Sequence, residues 1–176
     1  ENFAKLQADT AWKPLWNRAL MPSYPPGSTF KPLIGLIGLQ EKVINAETTF
    51  GCNNGYAFVG CHSHRSPLDF RNAISHSCNS YFCQTFRRIL ENPNYSSVYG
   101  AFNKWKEYVN EFGFGTKLGT DFVNDLPGFI PTVGYYEWFH GKNGWIAMTV
   151  FSLALGQGEL GARPLQLANM TAAIAN

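Results

Sequence analysis

Tyr24-Pro25-Pro26-Gly27-Ser28-Thr29-Phe30-Lys31-Pro32 decides how this sequence is read. Pro25 and Pro26 restrict φ and Gly27 permits a sharp turn, so a helix can begin abruptly at or near Ser28. Pro32 is compatible with that start, because a proline in the first turn removes only an amide hydrogen that has no intrahelical partner. The run Leu33-Ile34-Gly35-Leu36-Ile37-Gly38-Leu39 then continues as a helix apolar enough to be buried all round. Residues three apart on a helix are neighbours, with roughly 5–6 Å between Cβ atoms, so Lys31 is expected to reach the Ser28 hydroxyl. The ordinary meaning of S-x-x-K is a capping serine beside a solvated lysine. The rigid entry and the buried helix behind it favour a nucleophile and its base instead. A serine needs a base to take its proton, and burial plus the positive helix end push Lys31 toward the neutral form. The same free amides favour an oxyanion.

With 176 residues, 45% hydrophobic and 15% aromatic, the chain is long and apolar enough for one domain with a real core. Its net charge of +2 comes from scattered basic residues and gives no argument for nucleic acid or an anionic membrane. No signal peptide and no apolar run of about 18 residues occurs, so any membrane anchor is expected outside this stretch. Glu1 starts without preamble and the last helix runs into Asn176 without a stop signal, so both ends are expected to be cut.

Residues 1–23 read as an irregular segment that packs Trp12 and Trp16 near Ser28. Thr48-Thr49-Phe50 and Tyr56-Ala57-Phe58-Val59 flank Cys52-Asn53-Asn54-Gly55, which suggests a short hairpin or extended loop with an Asn-Gly turn. Asp69 is the expected N-cap of a helix with Phe70, Ala73 and Ile74 at helical spacing. Ser77 and Asn79 can point into one cleft only if the chain bends, since residues two apart in a regular helix diverge by about 200°. The bend is expected at 76–79, followed by a helix over about 80–90 that buries Tyr81, Phe82, Thr85, Phe86 and Ile89. Asn94 is expected to cap a helix from about 95 to 112, stopped by Gly113. The stretch 113–128 reads as a long loop region. Trp145 to Leu155 is a strand or a buried helix, between which periodicity does not decide, and Pro164 opens a last helix.

Ser28-Thr29-Phe30-Lys31 followed by Ser77-Cys78-Asn79 resembles the S-x-x-K and S-x-N motifs of penicillin-binding proteins and serine β-lactamases. Tyr81-Phe82, Leu126-Pro127-Gly128, Gly156-Gln157-Gly158 and Pro164-Leu165-Gln166-Leu167-Ala168 extend the likeness from end to end. The chain is similar to the class B penicillin-binding proteins, most of all to penicillin-binding protein 2 of the cell-elongation machinery, with the cell-division homologue the nearest rival. The resemblance implies an α+β transpeptidase fold, serine β-lactamase-like, seen here as a mostly helical truncated portion. It implies that Ser28 is acylated by a peptidoglycan stem peptide or a β-lactam, that Lys31 takes its proton, that Ser77 relays a proton to the leaving amine, and that Asn79 holds Lys31 and the substrate amide. It further implies stem peptides, β-lactam antibiotics and a membrane glycosyltransferase of the elongation machinery as partners, no nucleic acid, and a place on the periplasmic side of the bacterial inner membrane. The third family motif, K-T-G, is missing. Lys117-Leu118-Gly119 and Lys142-Asn143-Gly144 match K-x-G only formally. The resemblance places that motif beyond Asn176, so the chain is expected to be a partial transpeptidase domain that acylates poorly or not at all on its own. A sensor or silent scaffold module is the alternative; a β-lactamase is disfavoured because Glu41, Glu47 and Asp69 form no recognisable deacylating arrangement.

Cys52, Cys61, His62, His64 and Cys78 lie close in sequence, with Cys83 shortly beyond. Thiolates and imidazole at irregular loop spacing suit a closed structural Zn2+ site of the Cys₃His kind. Cys52, Cys61, His64 and Cys78 are the expected ligands, with His64 preferred over His62 because it lies nearer the helix leading to Ser77 and better matches the histidine of the family. A Cys52–Cys61 disulfide and unpaired cysteines stand beside that reading. His76 and His140 read as ordinary polar histidines, and Cys83 as helix core.

Overall fold

A computed structural model describes residues 2–121 and 125–176. In chain order the elements are α1 (Asn2–Ala8), a 3-10 turn (Gly27–Phe30) running into α2 (Lys31–Gln40), β1 (Gly55–Tyr56), β2 (Val59–Gly60), α3 (Phe70–Ser75), α4 (Asn79–Leu90), α5 (Val98–Glu111), α6 (Val133–His140), a 3-10 segment (Ala147–Leu155) and α7 (Pro164–Ala175). The two strands pair antiparallel, Gly55 with Gly60 and Tyr56 with Val59.

Helix α4 is the axis of the molecule. Its apolar and small residues Tyr81, Phe82, Cys83, Thr85, Phe86, Ile89 and Leu90 are all buried, as its pattern predicts, while Arg87 and Arg88 occupy the last turn where positive charge suits the helix dipole. α2, α5 and the 147–155 segment close around it. Gly38 lets α2 approach α4, because a Cβ there would lie 2.7 Å from Thr85 Cγ2; Gly35 does the same for the Phe70 ring on α3. Edge-on rings fill the far side, with Phe86 on Trp105 (5.3 Å) and Phe102 on Trp145 (5.2 Å).

Several expectations are corrected. The hairpin turns at Ala57-Phe58, not at Asn54-Gly55, because Gly55 is already in β1 and Cys61 N–H is donated to Asn54 O at 2.8 Å. Phe50 instead forms an isolated antiparallel bridge with Leu68. α5 is capped by Ser97, whose Oγ accepts from Gly100 N at 3.2 Å, while the Asn94 amide is donated to the Asn92 side chain. Trp145 to Leu155 resolves into 3-10 geometry broken at Val150. α6 lies in a stretch without a helical expectation, and α1 within one read as irregular. Trp12 is not packed away but stands 77% exposed, and Trp16 is exposed too, on a segment held by turns built on Asp9 and Asn17.

Two polar hubs replace regular sheet as cross-links. Gln166, buried on α7, donates from Nε2 toward the carbonyls of Gly113, Thr116 and Pro127, at 2.8, 3.1 and 2.9 Å, and accepts from Arg163 N at 3.0 Å. Glu41, just past α2, accepts from Asn92 Nδ2, Tyr95 OH and Tyr108 OH at 3.0, 2.9 and 2.7 Å. Burial, then the Glu41 carboxylate, pushes both phenols up to about 12. Glu41→Ala leaves three inward-facing donors without their acceptor and should lower stability by about 1–3 kcal/mol. Urea unfolding checks this; an unchanged midpoint would mean that the hub carries no weight.

Candidate active site

Ser28 sits in the 3-10 turn that opens α2, on a backbone set by Gly27 in the left-handed region at φ 60°. Thr29 Oγ1 donates to Pro26 O at 2.7 Å and Gly27 N to Gly156 O at 2.7 Å, while Phe30 anchors the turn from below against Phe114. Ser28 itself is exposed.

Lys31 is buried at the first position of α2. Its Nζ donates to Ser77 O at 2.6 Å, to Ser77 Oγ at 2.9 Å and to Asn79 Oδ1 at 2.6 Å. The expected reach of Lys31 to the Ser28 hydroxyl is therefore not realised in this state: the amine faces the 77–79 bend, and Ser28 Oγ has no hydrogen-bond partner among the described residues. Burial lowers the Lys31 pKa below that of an ordinary lysine, opposed by the nearby Cys61, Cys78 and Cys83 sulfurs.

The predicted bend is present. α3, capped by Asp69 Oδ1 on Asn72 N at 2.8 Å, ends at Ser75; Ser77 takes a left-handed conformation (φ 48°), and α4 starts at Asn79, with Cys78 Sγ accepting from Tyr81 N at 3.4 Å as its cap. Turning the chain here is what lets Ser77 Oγ and Asn79 Oδ1 meet one amine. Asn79 is fixed on every side. Its Nδ2 donates to Gly60 O at 2.8 Å and its backbone N to Cys61 Sγ at 3.3 Å, which settles that Oδ1, not Nδ2, faces Lys31.

The four expected metal ligands converge. One ligand atom each from Cys52, Cys61, His64 and Cys78 lies within 4.8 Å of all the others, and all four cysteines of the chain are free thiols, including the Cys52 and Cys61 pair considered as a disulfide. His64 Nδ1 lies 2.7 Å from Arg65 O, an atom that only accepts, so Nδ1 carries a hydrogen and Nε2 is the ring nitrogen that faces Cys61, 3.5 Å away. His62 stands outside the group, edge-on to the His64 ring. Burial pushes the Cys78 thiol up to about 12; for Cys61 burial is outweighed by bonds from the Asn79 amide, His64, the Ser80 amide and Cys52, which pull it down to about 7. Cys83 is helix core, as expected.

Neither formal K-x-G lies on a strand: Lys117 to Gly119 is loop and Lys142 to Gly144 a turn. Two supporting residues escaped sequence reasoning. Gly60 contributes only a carbonyl, which no motif announces, and Gly156 was legible as part of a Gly-Gln-Gly break but not as a neighbour of Ser28.

An exposed serine at a helix start, a buried amine and two polar side chains at a second helix start form one constellation, and the chain as a whole is similar to known proteins. The family model for the penicillin binding protein transpeptidase domain matches residues 1–176. The chain is 32% identical to the peptidoglycan D,D-transpeptidase MrdA of Acinetobacter baumannii, over 96% of this chain and 24% of that protein, so it spans about a quarter of that relative's length. Among solved structures it resembles Pseudomonas aeruginosa PBP2 in complex with WCK 5153, with a TM-score of 0.79, 28% identity, and coverage of 99% of this chain and 39% of that one. It also resembles a chain from a structure described as the structural coordination of polymerization and crosslinking by a peptidoglycan synthase complex, with a TM-score of 0.77, 28% identity, and coverage of 99% and 29%. The half-helical, sheet-poor architecture around Ser28, Lys31, Ser77 and Asn79 is thus a portion of that fold, and the chain belongs to the penicillin binding protein transpeptidase domain family.

Proposed function

We propose that this chain is the part of a longer serine-type peptidoglycan D,D-transpeptidase that carries the nucleophile, its base and the proton relay. The observation that carries this reading is Lys31 Nζ held by Ser77 O, Ser77 Oγ and Asn79 Oδ1 one turn after an exposed serine. A neutral amine has two hydrogens and one lone pair. Ser77 O and Asn79 Oδ1 can only accept, so they take the two hydrogens. The lone pair is left for a hydroxyl, either that of Ser77, which can reverse its bond, or that of Ser28. In the forward reaction Ser28 Oγ attacks the carbonyl of the penultimate D-Ala while its proton passes to Lys31. The amide C–N bond then breaks, and the departing D-Ala amine takes a proton through Ser77. An amine from a second stem peptide attacks the resulting ester, returns one proton to Ser28 Oγ and forms the cross-link.

The thiol and imidazole group fits a structural zinc ion. Cys52, Cys61, His64 and Cys78 would hold it, with no open position, and its chemistry there would be to fix loops and not to activate substrate. Cys78 and Cys61 flank and touch Asn79, so holding the four ligands together holds the S-x-N bend. By its likeness to a chain in a peptidoglycan synthase complex, the protein is read as working beside a glycosyltransferase, on the periplasmic side of the inner membrane. No helix among the described residues is long and apolar enough to cross a membrane, so an anchor would lie elsewhere in the polypeptide.

In the full-length polypeptide a fluorescent penicillin should label Ser28, and Ser28→Ala should remove the label without unfolding the protein; a label that survives this change sinks the assignment. Lys31→Ala should slow acylation by ~10²–10⁴-fold, the usual worth of a general base. Because burial lowers the Lys31 pKa, its reactive neutral form gains population as pH rises. The acylation rate should therefore climb with pH and level off below 10.5, the ordinary lysine value. A flat profile from about pH 6 to 10 would point to another base.

Protein purified without added metal should contain one zinc per chain, and chelation should lower the melting temperature and slow acylation together. Elemental analysis decides: zinc far below one per chain, or a mass two units light from a Cys52–Cys61 disulfide, removes the site.

A further inference from the structure

We infer that Gly156 is a positioning residue for the nucleophile, acting through the peptide of Gly27; the inference rests on the reading of Ser28 as the acylated residue. The 147–155 segment ends on Gly156, which adopts a left-handed conformation at φ 65° and ψ 33° and donates its amide back toward Leu153 O and Ser152 O. Its carbonyl accepts the Gly27 amide at 2.7 Å. The free N–H at the start of the turn is thus satisfied by the carbonyl that ends the 147–155 segment. The junction has no room for a side chain. A Cβ on Gly156 would lie 2.3 Å from Gly27 O, 2.8 Å from Gly27 N and 2.8 Å from Phe30 Cβ. Two of those three atoms are backbone of the turn that presents Ser28, and cannot rotate away.

The neighbouring Gly158 is a built-in control. It shares the left-handed backbone, at φ 70°, but its Cβ would meet Ser152 Oγ at 2.4 Å and Ser152 Cβ at 3.1 Å, the first of which can turn away and neither of which belongs to the turn at Ser28. Alanine therefore imposes the same backbone penalty at both positions. Only at 156 does it press on the nucleophile turn. Relieving the contact with Gly27 O requires the turn to retreat by about 1 Å, and a displacement of that size at a reacting atom is enough to cost ~10²-fold in rate.

Gly156→Ala and Gly158→Ala are compared in the full-length polypeptide, with a chromogenic cephalosporin over a concentration series. Saturation separates the dissociation constant of the non-covalent complex from the acylation rate constant, and melting temperatures are recorded alongside. Both variants should lose thermal stability, Gly156→Ala at least as much as Gly158→Ala, and keep the non-covalent dissociation constant within about threefold, while the acylation rate constant falls ~10²-fold in Gly156→Ala alone. An equal fall of the acylation rate constant in both variants, or none in Gly156→Ala, overturns the inference. A wild-type protein that is not acylated at Ser28 overturns the functional reading first and the inference with it. Should Gly156→Ala not fold, hydrogen exchange at the Gly27 amide of the wild-type protein decides: slow exchange relative to the flanking loop supports the junction, and exchange at the loop rate overturns it.

Discussion

The ε-amine of Lys31 lies in the interior, where a donor left without an acceptor costs about 1–3 kcal/mol. All three of its acceptors come from Ser77 and Asn79. No unbroken helix from Phe70 to Leu90 could supply them, because the two residues would face different ways. The left-handed Ser77 and the restart of α4 at Asn79 follow from that requirement, and so does the unusual N-cap, a thiol where a hydroxyl or carboxylate is the common choice. The rest of the architecture holds the two helix starts opposite one another: α2 approaches α4 through Gly38, and α4 presents its whole buried face to α2, α5 and the 147–155 segment.

Asn79 connects the chemistry to the cysteines. One side chain and its amide touch the amine, the β2 carbonyl and the Cys61 sulfur, so movement in the hairpin or in the thiol group is felt at Lys31 within one residue. The sulfurs also oppose the effect of burial on the amine, since negative charge nearby favours the protonated form. A divalent cation among three thiolates would offset two of their three negative charges as well as fix the loops.

How much of this was legible in the sequence follows from the range of the interactions. The helix start at Ser28, the Asp69 cap, the bend before Asn79 and the buried face of α4 are local consequences of proline, capping chemistry and 3.6-residue periodicity, and the structure has them. The convergence of Cys52, Cys61, His64 and Cys78 was legible because few residue types bind soft metals and these stood close in sequence. α6 was missed: Thr132 caps it through Tyr135 N, but Trp138 and Phe139 point outward, so the stretch lacks the two-faced pattern that marks a helix. The turn of the hairpin was misplaced because Asn-Gly is the stronger local signal, whereas Ala57 adopts φ 53° under the pull of pairing on either side. Of the two partners expected for Lys31, Asn79 is present at 2.6 Å and Ser28 is not, because spacing along a helix says which residues are near, not which acceptors arrive from elsewhere. Gln166 and Gly156 act on residues remote in sequence, and no local pattern carries that information.

The Tyr24–Ala162 bridge and the Gly27–Gly156 bond join opposite ends of this sequence, and Gln166 ties down carbonyls at 113, 116 and 127 from further along still. A ribosome delivers the nucleophile turn long before it delivers any of these fasteners. During synthesis the early helices can collapse on their local patterns, but the turn at Ser28 acquires its final setting only when residues 156–162 reach it, because closures across such loops carry an entropic cost that only the late contacts offset. The setting of Ser28 is thus made by contacts that arrive more than a hundred residues after it.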